Sequence, residues 1–239
     1  GNCLANKNNK RIRACVPMHT FGHSANIFEI KKLCDNWNII LIEDAAEAMG
    51  SFNQKKHLGT IGQMGVLSFN GNKIITTGGG GAILSNKKIA KKAKHLSTTA
   101  KIDHLYEFNY DHIGFNYRMP NINAALGCAQ VELLETFVMH KRKLAKLYKS
   151  FFDSQGVSFF IEPKNCRSNY WLNTIFFESK KNRDDFLTVS NHSKIMTRPI
   201  WKLMHTLPMY KHCQCGSLKN SIWLQDRAVN IPSGVPSSW

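Results

Sequence analysis

Apolar residues near the start of the chain follow the spacing of a strand, a helix and a second strand. Residues 13–18 predict a short strand. Asn26 is predicted to cap a helix, with Glu29 three residues later completing a capping box. The compact apolar run at 38–42 is typical of a strand buried on both faces of a parallel sheet. These elements predict a β-α-β unit and therefore an α/β fold.

The same kind of pattern continues to about residue 152. A strand is predicted at 66–69, and β-branched or apolar segments flank four consecutive glycines at 78–81. Residues 87–96 predict a basic amphipathic helix. Pro120 suits the first turn of a long helical region. Its apolar stripe is Ile122, Leu126, Ala129, Leu133 and Phe137.

The pattern changes after residue 152. Residues 170–177 predict a strand, residues 182–189 predict a helix, and the tail is rich in Pro, Trp and Met. We therefore expect a large domain over 1–152, including the long connecting helix, and a smaller α+β domain over 153–239.

Composition narrows the class of protein. No apolar run approaches the roughly 20 residues that cross a bilayer, and the first 20 residues do not resemble a secretory signal. The expectation is a soluble, cytoplasmic protein without a membrane partner. The seven cysteines are odd in number and widely spread, which favours reduced thiols over a disulfide framework.

The cysteine spacing and the charge pattern bear on a metal site and on nucleic-acid binding. Cys213 and Cys215 lie near His205 and His212, but structural zinc sites usually separate paired cysteines by two or more residues, so we expect no metal. The net charge of +16 is carried in short lysine runs without interleaved aromatics. That favours solvated helix faces over specific nucleic-acid binding.

Two residues carry the candidate chemistry. Asp44 ends a predicted buried strand, where open α/β sheets place ligand-binding groups; capping of a helix at 45–49 is the alternative. Lys73 lies between a strand and the glycine run, and a partly desolvated lysine amine can attack a carbonyl. The glycines would let the backbone approach a ligand or adopt positive φ.

Four blocks of sequence, in this order, resemble the DegT/StrS family of nucleotide-sugar aminotransferases. The first runs from Glu43 to Gly50, and the second joins Ser68 to Lys73 and the glycines. The third begins Gly114-Phe115-Asn116-Tyr117-Arg118, and the fourth runs from Arg198 to Ser233. The resemblance implies a fold-type-I transferase with a mixed, mostly parallel sheet and pyridoxal 5'-phosphate as cofactor. It also implies transfer of an amino group, with glutamate as donor, to the C4 ketone of a nucleotide-linked 4-keto-6-deoxy sugar.

The resemblance also assigns roles by position. Lys73 is implied to bind the cofactor as a Schiff base and to shuttle a proton, and Asp44 to pair with the ring nitrogen. Glu47 is implied to contact the ring or its hydroxyl, and Ser68 the phosphate. Asn116 is implied to reach the cofactor of a neighbouring subunit, which makes a homodimer with shared active sites. Arg198 is a candidate substrate contact.

Departures from the family pattern refine the expectation. Asn70 and the Gly79-Gly80 pair resemble a subgroup acting on acetamido sugars on the route to nonulosonic acids such as legionaminic acid. The chain is expected to begin after the family's N-terminal section and to stop slightly short at the other end. A non-catalytic, truncated relative is therefore an alternative. A sugar 3-dehydratase is another, although that branch replaces the lysine by histidine.

Overall fold

A computed structural model describes residue 4 and residues 9–235 of the chain. The strands are, in chain order, β1 (Ala14–Cys15), β2 (Ile40–Asp44), β3 (Phe52–Asn53), β4 (Lys56–His57), β5 (Met64–Ser68), β6 (Gly81–Ser85), β7 (Lys101–Ile102), β8 (Asn109–Tyr110), β9 (Ser158–Phe159), β10 (Cys166–Arg167), β11 (Asn173–Phe176), β12 (Arg198–Pro199) and β13 (Ala228–Ile231). The α-helices are α1 (Ile27–Asn36), α2 (Lys87–Ser97), α3 (Asn121–Glu132), α4 (Leu134–Ser154), α5 (Lys180–His192) and α6 (Lys219–Arg227).

Four strands form the sheet that carries the candidate site, in the order β1-β2-β5-β6. β1 and β2 are parallel, β2 and β5 are parallel, and β6 closes the row antiparallel to β5. A mixed, mostly parallel sheet with a β-α-β unit at its start is therefore confirmed. A separate antiparallel pairing joins β10, β3 and β4.

The first hydrophobic core lies between α1 and this sheet. Ile27 of α1 and Leu41 of β2 are fully buried there, together with Ala45, Leu58 and Leu67. The prediction that the β2 run is buried on both faces is wrong: Ile40 is 40% exposed and Ile42 is half-buried. Strand side chains alternate between faces, and only the face of Leu41 meets this core.

Two predictions about helix ends are also wrong. Asn26 does precede α1, yet within the described chain its side chain makes no capping hydrogen bond. Pro120 is the residue before α3 rather than part of its first turn. The long helical region breaks at Leu133, where α3 and α4 meet at an angle of 58°. Much of the predicted apolar stripe is exposed in the single chain, as Ile122 (86%) shows.

The second half contains an antiparallel sheet in the order β12-β13-β11-β9. Its core is Ile175, Val229 and Ile231, with Tyr148 and Phe152 of α4 packed against it. The predicted strand at 170–177 is shorter than expected, and the predicted helix at 182–189 is longer. A division at 152/153 stays a prediction, because α4 runs through it and contributes to this second core.

Across the described residues, no single helix is long and apolar enough to cross a bilayer. Only the bent pair of α3 and α4 together reaches the required length and composition.

Candidate active site

Asp44 and Ser68 end two neighbouring parallel strands. Asp44 pairs with Val66, so the two residues lie at the same edge of the sheet. The Asp44 carboxylate is half-buried and accepts a hydrogen bond from the Ala46 backbone N–H at 3.1 Å. Residues 45–49 form turns rather than a helix, so the alternative that Asp44 caps a helix is wrong.

Lys73 lies in the turn that follows β5. Its backbone N–H donates to the Asn70 carbonyl at 3.0 Å, which closes this turn. The side chain is 13% exposed, and its Nζ lies 3.8 Å from Glu47 Oε1. Nζ also lies 4.1 Å from the centroid of the Trp171 ring. The amine therefore sits between a carboxylate and an aromatic face.

Glu47 joins Asp44 and Lys73 electrostatically. Its side chain is buried, and Oε2 accepts a hydrogen bond from the Phe21 backbone N–H at 2.7 Å. Burial raises the pKa of the Glu47 carboxyl, the Phe21 hydrogen bond and the Lys73 charge oppose this, and the Asp44 charge adds to it. Both predicted residues are thus close enough to Glu47 to influence its ionisation.

Asp44, Glu47 and Lys73, together with Trp171, form what we call the Lys73 cluster. The sequence did not indicate Trp171 as a member. Its indole N–H donates to the Asn72 carbonyl at 2.7 Å, one residue before Lys73. Its ring stacks on Trp201, with centroids 6.4 Å apart. The only sequence signal was an aromatic residue within the predicted strand at 170–177, and such a residue is more often part of a core.

The buried side chain of Lys141 forms a hydrogen bond with the backbone of Trp171. Lys141 Nζ donates to the Trp171 carbonyl at 3.0 Å and to the Ser233 carbonyl at 2.5 Å. Burial lowers the pKa of Lys141 to about 8. These two carbonyls accept hydrogen bonds from the buried cation, which therefore links α4 and the segment after β13 to the Trp171 backbone.

The carboxylate with the greatest burial is Glu43 rather than Asp44. It is fully buried; Oε2 accepts from His19 Nε2 at 3.0 Å and from Gly59 N at 2.8 Å. Oε1 accepts from Ile61 N and Gly62 N, both at 2.6 Å. Burial acts to raise the Glu43 pKa, but the His19 and backbone hydrogen bonds outweigh it and leave the pKa lowered. The alternation Leu41, Glu43 along β2 was the signal that could have found it.

The structure does not bring Asn116 and Arg198 to the Lys73 cluster through any described contact. Asn116 forms an isolated bridge with Thr98 at the end of α2. Arg198 is exposed on β12, and its Nη1 donates to Asn191 Oδ1 at 3.1 Å and to the Thr197 carbonyl at 3.2 Å. Ser68 Oγ accepts from the Asn70 N–H at 3.4 Å.

The glycine run adopts the backbone expected of it at two positions. Gly78 has φ of +78° and Gly80 has φ of +97°, both in the left-handed region. A cavity of about 840 Å³ lies beside this run and is lined by α2 and by Tyr117, Arg118 and Asn123. Its described lining includes none of the six predicted site residues, so the candidate catalytic groups lie in the Lys73 cluster and not around this cavity.

The described parts of the chain thus define a fold-type-I α/β transferase. A solved structure, the aminotransferase TlmJ from Streptoalloteichus hindustanus, superposes with a TM-score of 0.88 at 24% identity. The superposition covers 95% of this chain and 62% of that one, and at this identity it shows the fold alone.

Residues 3–236 match the DegT/DnrJ/EryC1/StrS aminotransferase family, and the chain belongs to that family. A relative from Bacillus subtilis (strain 168), named "Putative pyridoxal phosphate-dependent aminotransferase EpsN", is 36% identical over 96% of this chain and 61% of its own length. The dTDP-4-amino-4,6-dideoxy-D-glucose transaminase of Shigella dysenteriae is 30% identical over 78% of this chain and 51% of its own length. The chain therefore spans less than two thirds of these relatives. The aminotransferases of this family depend on pyridoxal phosphate.

Proposed function

We propose that this chain is the catalytic part of a pyridoxal-phosphate-dependent aminotransferase that makes an amino sugar from a nucleotide-linked keto sugar. The observation that carries the proposal is the position of the Lys73 amine. It lies 3.8 Å from Glu47, whose pKa both Lys73 and Asp44 influence.

The donor set fits the proposed cofactor. A primary amine is available for an aldehyde at Lys73, a carboxylate for a ring nitrogen at Asp44, and a hydroxyl for a phosphate at Ser68. When bound, pyridoxal phosphate supplies an electron sink for the carbon that loses a proton. The half-buried Asp44 carboxylate would keep the ring nitrogen protonated, and the Ala46 N–H fixes its orientation.

Lys73 would also be the general acid and base of the reaction. Its Nζ would take a proton from the amino donor, with glutamate the proposed donor, and return one to the amino sugar. Glu47 would hold this amine in place through the 3.8 Å contact and would present its second oxygen, fixed by the Phe21 N–H, beside the cofactor.

The substrate class is a 4-keto-6-deoxy sugar linked to a nucleotide. The Shigella relative's name supports amination at C4 of a dTDP-sugar. We extend this to acetamido sugars on the route to nonulosonic acids, because Asn70 and the Gly79-Gly80 pair match that subgroup. Arg198, exposed at the edge of β12, is the proposed contact for the substrate.

A second copy of the chain is the proposed partner. The segment from residue 105 to residue 122 exposes six large apolar side chains, and clustered exposed apolar surface marks sites of protein–protein contact. These are Leu105, Tyr106, Phe108, Ile113, Tyr117 and Ile122, each at least 74% exposed. Asn116 lies within this segment, so a homodimer formed through it would carry Asn116 toward the partner's cofactor.

Covalent trapping tests the proposal directly. The chain is incubated with pyridoxal phosphate and reduced with borohydride, and the modified peptide is identified by mass spectrometry. We expect one phosphopyridoxyl group on Lys73, its loss in Lys73→Ala, and its retention in the exposed control Lys87→Ala. Modification spread over many lysines would support the non-catalytic alternative and contradict the proposal.

Product analysis distinguishes an aminotransferase from a sugar 3-dehydratase. An amino sugar, formed with the keto sugar and an amino donor, supports the transaminase. A deoxy-keto sugar formed without consumption of the donor would overturn it in favour of a dehydratase.

A further inference from the structure

Three metal-ligating side chains from two elements meet outside the Lys73 cluster. His95 lies in the last turn of α2, and Asp111 and His112 follow β8. Asp111 Oδ1 lies 2.6 Å from His95 Nε2 and 3.1 Å from His112 Nδ1, and the three ligand atoms all fall within 4.8 Å of one another. We propose that His95, Asp111 and His112 bind one zinc ion, independently of the proposed enzymatic function.

The backbone holds these residues in place before any metal binds. The Ala100 N–H donates to the His95 carbonyl at 2.9 Å, and the Asp111 N–H donates to the Ala100 carbonyl at 3.3 Å. The Phe115 N–H donates to the Leu96 carbonyl at 2.7 Å. Backbone hydrogen bonds thus join the end of α2 to residues 111–115. Because the fold already holds these segments together, little conformational entropy is lost when the three ligands bind a metal.

Close backbone packing reinforces this arrangement. A Cβ on Gly114 would lie 2.2 Å from the Thr99 carbonyl carbon, so the two segments are in direct backbone contact. Thr99 and Ala100 both have positive φ, which non-glycine residues keep only where surrounding contacts enforce it. The cluster therefore sits on a well-determined part of the chain rather than on a free loop.

The ligand chemistry selects the metal. Two imidazole nitrogens and one carboxylate oxygen suit zinc, whereas calcium and magnesium prefer oxygen alone. Tetrahedral zinc with bonds of about 2.0–2.1 Å places its ligand atoms roughly 3.3 Å apart. The present separations require shifts of about 1.5 Å or less, and these partly exposed side chains can make them by rotation. Water would complete the coordination.

Zinc binding at this site would restrain the segment that carries Asn116. That residue bridges to Thr98, only a few positions from His95. A bound zinc would fasten residues 101–117 to α2 and so limit the motion of the face proposed to meet a second copy.

Zinc sulfate and cobalt chloride are the probes. Titration of the metal-free chain in competition with a chromophoric chelator should give one zinc site. Cobalt should give the visible bands of tetrahedral coordination. His95→Ala and His112→Ala should each weaken zinc binding by more than about ten-fold. His104→Ala is the matched control, because His104 lies in the β7–β8 hairpin just before Asp111 and its described ion pair is with Glu107, outside the cluster.

The exposed thiols provide the second control. Cys213→Ser/Cys215→Ser should leave zinc binding unchanged. Zinc should also slow hydrogen exchange in residues 101–117 of the original chain but not of His95→Ala. If binding is lost with the cysteines and unaffected at His95, or if no saturable binding occurs, the proposal is wrong.

Discussion

Replacing Glu43 by Gln tests how the edge of the sheet beside Asp44 is held. The substitution keeps the shape of the side chain but turns one acceptor oxygen into an NH2 donor. If the NH2 faces Ile61 and Gly62, both backbone N–H groups lose their acceptor. If it faces His19 and Gly59 instead, Gly59 N–H loses its acceptor. His19 cannot change tautomer freely, because its Nδ1 accepts from the Ala25 N–H at 3.2 Å.

The magnitude follows from this count. Each orientation leaves two donors without an acceptor, all of them buried except the half-buried Gly62 N–H, and each buried donor so stranded costs about 1–3 kcal/mol. We therefore expect Glu43→Gln to lower the free energy of unfolding by roughly 2–6 kcal/mol, a large part of the 5–15 kcal/mol typical of a folded protein.

Urea unfolding at pH 7, followed by tryptophan fluorescence and circular dichroism, measures this loss. The matched control is Glu29→Gln, on the exposed face of α1, which should change the free energy of unfolding by less than about 0.5 kcal/mol. A Glu43→Gln variant within about 1 kcal/mol of the original chain would refute the reasoning, because the buried hydrogen bonds would then contribute almost nothing.

The acid side of the stability curve gives a second reading of the same group. The pKa of Glu43 is lowered in the folded chain, so its contribution is complete above the ordinary value of 4.5. That contribution is lost as pH falls through the lowered value. Glu43→Gln should therefore show a smaller acid-induced loss than the original chain.

Two further predictions concern packing and protonation. Gly65→Ala would place its Cβ 2.0 Å from the Gly59 carbonyl oxygen, so we expect a loss of about 3 kcal/mol or more in urea unfolding. Gly71→Ala, with nothing within 4 Å, should stay within about 0.5 kcal/mol, and equal effects would contradict the packing argument. Burial lowers the pKa of His23 from 6.5 to about 4. Between these pH values the folded state binds fewer protons than the unfolded state, so the free energy of unfolding decreases as the pH decreases. This costs about 2 kcal/mol from pH 7 to pH 5; His23→Phe should remove that part of the pH dependence, and an unchanged dependence would show that another group titrates.

Elements with a local pattern could be predicted from the amino-acid sequence. The β-α-β start, the basic helix α2 and the positive φ of the glycine run all follow from neighbouring residues. The family could also be identified from the sequence, because the order of the four blocks is visible without knowledge of any tertiary contact. The apolar run at 38–42 also predicted that Asp44 ends a strand, at the edge where open α/β sheets place ligand-binding groups.

The groups that surround Asp44 and Lys73 could be identified only in the folded chain. Trp171 lies almost a hundred residues from Lys73, and no periodicity connects the two. The sequence singled out Asp44 and not Glu43, yet Glu43 is the fully buried carboxylate, because packing fixes which face of β2 the core covers. His95 and Asp111 come together only because the end of α2 pairs with a distant segment. Contacts between residues far apart in the chain form only when the chain folds, and local sequence patterns do not predict them.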